Sequence, residues 1–262
     1  MRIYSNGYEL ISETGRNLWE MGSEVKPKTY QNKVIAGNDD FITKELICEQ
    51  YCLTKLEDED ILFVFTNCKD WAIAEFKERI DSRRINPGEA YKLRWEIWND
   101  FLTNIDTHEI GSDVYSVPKF DYTYSERINT EVDYKGLKYP KLEAIIRLLE
   151  EDPDTRKAVL NIFGTIDSNY YDGYHRIPCS MYYDFLIREN PRGEKQLNLC
   201  YHQRSSDFIT HFGNDVWLAW QLKDYVANRL GIKPGYLYHT IDSLHVYKKD
   251  WVKLKTSLNS MV

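Results

Sequence analysis

The stretch that decides the fold runs from residue 178 to residue 247. It opens on Pro178-Cys179 and continues through the run Met181–Ile187 (MYYDFLI) to the turn Glu189-Asn190-Pro191-Arg192-Gly193. Leu197–Tyr201 (LNLCY) comes next, then Gln203-Arg204-Ser205-Ser206-Asp207, Asn214-Asp215, and finally Ser243-Leu244-His245-Val246-Tyr247. Two apolar runs joined by Asn-Pro-Arg-Gly chemistry predict an antiparallel hairpin. Cys179 then stands where one strand begins, and residues 203–207 stand where its partner ends. Asn214 suits the cap of a helix over Asp215–Leu230, which Gly231 would stop. Tyr236–Tyr247 would return to the sheet.

Working outward, Lys141–Glu151 carries apolar residues at 142, 145, 146, 148 and 149, one face of a helix. Asp152-Pro153-Asp154 ends it, and Ala158–Phe163 is a candidate buried strand. The first half is harder to read. Helices are expected over Phe41–Leu53, Asp70–Asp81 and Pro87–Leu102, the last opened by proline at a favourable position. A strand is expected at Leu62–Thr66, and irregular chain over 106–138. With no linker or repeat and no succession of βαβ units, the reading is one α+β domain over residues 1–262: a mixed sheet packed with helices, not a doubly wound parallel sheet.

Composition excludes several classes. The chain has 34 basic and 41 acidic side chains, net −7, so a broad nucleic-acid surface is not expected, although a local cationic pocket is compatible. No apolar run is long enough for a membrane helix, and Met1–Glu9 has no stretch of signal-peptide length. Five cysteines at irregular spacing suggest reduced thiols and a cytoplasmic setting, a host's cytoplasm if the protein is viral. Cys48 and Cys52 lack a second pair, so no metal site is expected.

Cys179, the Gln203–Asp207 run, Asp215, His245 and Tyr247, with Asp152-Pro153-Asp154-Thr155-Arg156-Lys157 upstream, together resemble the thymidylate synthase superfamily. The match is good over residues 140–250 and looser before them, where Asn38–Leu46 fits best. The resemblance implies the thymidylate synthase-like fold, with one sheet face at a homodimer interface. It also implies pyrimidine C5 chemistry with 5,10-methylenetetrahydrofolate. Carbon 5 is a poor nucleophile until a thiolate adds at carbon 6, so the reaction needs covalent catalysis. Cys179 matches the nucleophile, Arg204 the arginine beside thiolate and phosphate, and Ser205 a further phosphate ligand. Arg156 and Lys157 match the pair that reaches the phosphate from the other subunit, although Lys157 cannot form a planar fork. His245 and Tyr247 match the pair that binds the sugar hydroxyl. Glu45 matches the glutamate that moves protons near the base, Asp207 the folate-binding aspartate, and Tyr124 a tyrosine near the thiolate. Lys26 or Lys28 would occupy the amino-terminal phosphate loop.

Each residue also has a plain structural reading. An isolated cysteine is more often a small core residue, Asp215 could serve the helix dipole, Arg156 and Lys157 could be solvated, and Glu45 could be an exposed carboxylate. Position 215 bears on the substrate. Synthases place asparagine there, which suits uracil. A carboxyl group suits the N3 and N4 edge of cytosine, and the family members with aspartate there are cytidylate hydroxymethylases. Ser180 departs from the histidine that synthases usually carry after the nucleophile, and the run Ser243–Tyr247 looks more like the phage deoxycytidylate hydroxymethylases than the synthases. The expected activity is hydroxymethylation of dCMP, with Cys179, Glu45, Asp215 and Arg204 at the reacting centre and a product used for modified DNA. The alternatives are a methylating enzyme acting on dUMP or dCMP, a dUMP or CMP hydroxymethylase, and a catalytically silent nucleotide- or RNA-binding relative.

Overall fold

Pairing around one long strand sets the architecture of the computed structural model, which describes residues 1–31, 33–102, 104–110, 113–169 and 175–261. Strand β1 (Arg2–Tyr4) leads into helix α1 (Gly7–Met21). Then come β2 (Ser23–Val25), the hairpin β3 (Thr29–Tyr30) and β4 (Lys33–Val34), and β5 (Thr43–Leu53). The middle of the chain forms helix α2 (Lys69–Ile80), the single turn α3 (Trp95–Trp98), hairpin β6 (Asn104–Ile110) and β7 (Asp113–Lys119), helix α4 (Tyr124–Ile128), and hairpin β8 (Glu131–Tyr134) and β9 (Leu137–Pro140). The remainder runs α5 (Lys141–Glu151), β10 (Val159–Asn161), β11 (Ser180–Glu189), β12 (Lys195–Gln203), β13 (Ser206–Asp207), α6 (Gly213–Leu230), β14 (Lys233–Tyr247) and α7 (Trp251–Ser260). Residues gather into two units, Met1–Asn67 with Ile145–Val262, and Cys68–Ala144.

The first unit holds a sheet of order β1-β5-β14-β12-β11-β10, with β2 added on β5 and β13 on β14. β14 lies parallel to β12 and antiparallel to β5, so the sheet is mixed and the class is α+β. The expected hairpin is present: Tyr183, Phe185 and Ile187 on β11 face Tyr201, Leu199 and Leu197 on β12, and all six are buried. Alternation with period two explains why this hairpin could be read directly. The expected helices at 70–81 and 141–151 and the strand at 158–163 also form, the last over Val159–Asn161. Gly231 ends α6 at φ +65°, a left-handed conformation that glycine adopts without strain.

Five expectations need correction. Phe41–Leu53 is not a helix. From Thr43 it is β5, because pairing of Tyr51 with His239 and of Leu53 with Leu237 buries its last three residues, Tyr51, Cys52 and Leu53, in the sheet. Leu62–Thr66 is not a strand: Glu59–Phe63 is a 3₁₀ turn. Pro87–Leu102 is broken into 3₁₀ turns around α3, and 106–138 contains two hairpins and α4. Asn214 is not the cap of α6. The cap lies upstream, where Asp207 accepts from the backbone amides of Ile209 and Thr210 and starts a wide π turn, Phe208–Phe212, that runs into α6 at Gly213. Position 213 must be glycine, because a Cβ there would overlap the Leu62 carbonyl.

Helix α1 was not expected. Asn6 caps it by accepting from the Glu9 amide at 2.8 Å. Its buried face includes Ser12, Thr14 and Gly15 beside Leu10, Ile11 and Leu18, which blurs the apolar periodicity.

Candidate active site

Cys179 sits immediately before β11, half-buried. The hairpin register returns the end of β12 to it, and the Arg204 amide donates to the Cys179 carbonyl at 2.8 Å. The Arg204 side chain is held from behind. Its Nε donates to the Pro178 carbonyl at 2.9 Å and its Nη2 to the Ile177 carbonyl at 2.8 Å. That leaves Nη2 3.8 Å and Ser205 Oγ 3.6 Å from the Cys179 sulfur. A fixed cation and a hydroxyl donor aimed at sulfur stabilise negative charge there. Gln31 adds a third donor, with Nε2 3.9 Å from the same sulfur. Sequence reasoning missed Gln31, which lies in a turn at φ +52° with no pattern to announce it.

Three further candidates share one rung of the sheet. Asp207 on β13 pairs with His245 on β14, and His245 pairs with Glu45 on β5. Residues on one rung project to one face. Among the described residues, the Glu45 carboxylate has no hydrogen-bond partner, as suits a group that handles protons. One Asp207 oxygen is occupied by the amides of Ile209 and Thr210. Tyr247 packs edge-on against His245 at 5.1 Å and against Tyr30 at 5.8 Å. Burial, followed by the nearby Asp207 carboxylate, holds its phenol protonated well above the ordinary range.

Position 215 is built differently from position 214. Asp215 Oδ2 accepts from Gln203 Nε2 and from Ser206 Oγ, both at 2.9 Å. The neighbouring Asn214 turns its amide back onto the Thr210 carbonyl at 3.1 Å. The carboxylate, not the amide, therefore faces the strand end that carries Arg204 and Ser205.

Arg156 and Lys157 lie exposed in the segment between α5 and β10, without side-chain hydrogen bonds among the described residues. Lys26 and Lys28 are exposed ahead of the β3–β4 hairpin. Tyr124 belongs to the second unit, with its ring over the Arg79 guanidinium at 4.2 Å.

The thymidylate synthase family model matches residues 70–261, well over half of the chain. The chain belongs to the thymidylate synthase family. It is 32% identical over 136 residues to a Methanosarcina acetivorans protein provisionally named thymidylate synthase, covering 50% of this chain and 55% of that one. It is 29% identical over 138 residues to the deoxyuridylate hydroxymethyltransferase of Bacillus phage SP01, covering 50% of this chain and 35% of that one. The chain thus matches about half, or less, of the length of these curated relatives. Thermostable thymidylate synthase A from Bacillus subtilis shares its fold, with a TM-score of 0.65 and 14% identity over 97% of this chain and 84% of that one. Thymidylate synthase family enzymes are dimeric one-carbon transferases that bind a nucleotide and use methylenetetrahydrofolate as donor. All five cysteines are free thiols, and no helix among the described residues is long and apolar enough to cross a membrane.

His239, beneath this thymidylate synthase-family site, makes a stability prediction. Burial pushes its imidazole down from 6.5 to about 3. Between those values the unfolded chain binds a proton that the folded chain refuses, so this group's contribution is complete above about pH 6.5 and is lost towards pH 3. The difference is about 5 kcal/mol at about 1.4 kcal/mol per pH unit. Buried carboxyls such as Asp184, pushed up by desolvation, act in the opposite sense. The comparison of urea unfolding for wild type and His239→Phe isolates the imidazole. Wild type should lose more stability between pH 7 and pH 4 than the variant, and parallel curves would refute the assignment.

Proposed function

We propose that the protein is a deoxycytidylate 5-hydroxymethyltransferase. It would convert dCMP, 5,10-methylenetetrahydrofolate and water to 5-hydroxymethyl-dCMP and tetrahydrofolate. The observation that carries this reading is the Asp215 carboxylate, held by Gln203 and Ser206, where the uracil enzymes of the family carry an amide. A carboxyl group accepts from the cytosine amino group and shares a proton with N3. Uracil would set its O4 lone pairs against the same carboxyl.

Cys179 Sγ adds to C6 of the ring, and Arg204 and Ser205 stabilise the thiolate while holding the nucleotide phosphate. The addition makes C5 nucleophilic. The folate supplies a one-carbon unit at the formaldehyde oxidation level. Glu45 assists removal of the C5 proton, and water adds to the resulting exocyclic methylene as sulfur leaves C6. His245 and Tyr247 hold the sugar hydroxyl. The folate fits the residues present: Asp207 is a buried carboxylate with one oxygen committed to its own backbone and the group placed on the Glu45–His245 rung.

The deciding experiment is the product mass from dCMP, methylenetetrahydrofolate and pure enzyme. A gain of a hydroxymethyl group supports the reading. Dihydrofolate formation with a methyl product would instead make this a methylating enzyme, the reading that the names of several relatives favour. No tritium release from C5-labelled dCMP or dUMP under any folate condition would favour a silent binding protein.

The site is proposed to be shared across a homodimer, with Arg156 and Lys157 completing the phosphate pocket of the opposite subunit. The outer rung Ile3–Cys52–Tyr238–Cys200–Asp184–Val159 supports a sheet-face interface, since Ile3 and Val159 are exposed apolar side chains at its ends. Arg156→Ala should weaken dCMP binding by about 10- to 100-fold, the value of a charge-assisted hydrogen bond, and leave deoxycytidine binding unchanged. Mixing Arg156→Ala with Cys179→Ala subunits should restore one intact site per mixed dimer. Failure to recover activity after subunit exchange would refute the shared pocket.

A further inference from the structure

Behind Asp215 runs a buried chain of hydrogen bonds that crosses three strands. Tyr51 on β5, His239 on β14 and Gln203 on β12 are 0%, 1% and 0% exposed. Tyr51 Oη lies 2.7 Å from His239 Nδ1, and His239 Nε2 lies 2.9 Å from Gln203 Oε1. Gln203 Nε2 then donates to Asp215 Oδ2 at 2.9 Å. Tyr51 and His239 are register partners, so the first link follows from strand pairing.

The carboxylate end fixes the direction of every proton. An ionised Asp215 can only accept, so Gln203 turns its NH₂ towards it and its Oε1 away. Oε1 can only accept, so His239 carries its proton on Nε2. Burial keeps the imidazole neutral, which leaves Nδ1 as a bare acceptor and makes the Tyr51 hydroxyl its donor. Reversing any one link sets two acceptors, or two donors, face to face in a buried site. The imidazole plane is fixed as well. His239 stacks on Tyr201 at 4.4 Å and 18°, and Tyr201 stacks on Tyr183 at 4.4 Å and 12°.

We propose that Tyr51, His239 and Gln203 form a one-way relay that fixes Asp215 in orientation, so that its choice between pyrimidine edges depends on residues that never touch the nucleotide. Gln203 and Ser206 both donate to Oδ2. Without the imidazole donor, the Gln203 amide is free to flip and present its oxygen to the carboxylate. Asp215 would then be driven towards its protonated form, which can donate to a carbonyl oxygen and no longer discriminates against uracil. These three are positioning residues, and the inference rests on the reading that Asp215 faces the base.

The test is the ratio of dUMP to dCMP Kd, measured by calorimetry on the intact protein. His239→Phe keeps an aromatic ring but removes both nitrogens, and Tyr51→Phe removes a single oxygen. Each should lower the ratio, by about tenfold for His239→Phe, as expected when a buried hydrogen bond is lost. A constant ratio in a folded Tyr51→Phe protein, or equal weakening of both nucleotides, would overturn the relay. Imidazole ¹⁵N spectra of the wild type give a second readout that needs no variant. The Nε2-protonated tautomer is expected at pH 7, and the Nδ1-protonated tautomer overturns the proposal. If wild type itself prefers dUMP, the cytosine reading fails. The relay fails if the ratio, whichever way it leans, does not move, or if the Nδ1-protonated tautomer is found.

Discussion

Cys179→Ala is expected to abolish turnover, by about 10⁴-fold or more, while dCMP still binds. The proposed reaction needs a sulfur at C6 to make C5 nucleophilic, and no other described side chain in the cluster can supply it. Ser205 Oγ lies 3.6 Å from the sulfur, but an alcohol without an adjacent base is a weak nucleophile. The groups proposed to hold the phosphate are untouched. Arg204 keeps its bonds to the Pro178 and Ile177 carbonyls, since these are backbone acceptors that the substitution leaves in place. Binding should therefore stay within a few-fold of wild type by calorimetry, and tritium release from C5-labelled dCMP should vanish. Release that persists at more than a few per cent of the wild-type rate would exclude Cys179 as the nucleophile. Loss of binding together with turnover would mean that the cysteine holds the pocket's shape.

The hairpin and the meeting of Cys179 with Arg204 at its open end were legible in the sequence for one physical reason. β11 and β12 alternate cleanly, and their turn is strong, so Cys179 and Arg204 had to meet at the open end. β5 was illegible because Ile42, Leu46 and Leu53 also fit a helical stripe, and Cys48 interrupts the alternation at φ +56°. Only its pairing with β14, far along the chain, makes it a strand. That misreading mattered for the site. As part of a helix, Glu45 would have no fixed relation to His245; as part of β5, it is His245's register partner. The support behind Asp215 was hidden in the same way. Gln203 stood in the quoted motif, but its partners His239 and Tyr51 lie on other strands and carry no local pattern.

Asp215→Asn is expected to move preference from dCMP to dUMP, with a change of about 10⁴ in the ratio of their kcat/KM values, or about 5.5 kcal/mol. A count along the sequence could not have separated Asp215 from Asn214, because the eight residues after Asp207 cross a π turn whose wider pitch shifts every later side chain around the axis. Geometry separates them. The Asn214 amide is spent on the Thr210 carbonyl inside its own helix, whereas Asp215 reaches Gln203 and Ser206. An asparagine at 215 can keep the Gln203 bond through its side-chain oxygen, so the fold and the relay should survive. Its NH₂ would then offer the base a donor where the carboxylate offered an acceptor, as uracil O4 requires. Both substrates should be assayed at saturating folate with the variant and with wild type. An unchanged preference would show that another residue reads the pyrimidine edge. Loss of both activities with binding intact would instead give Asp215 a role in the chemical step for either base.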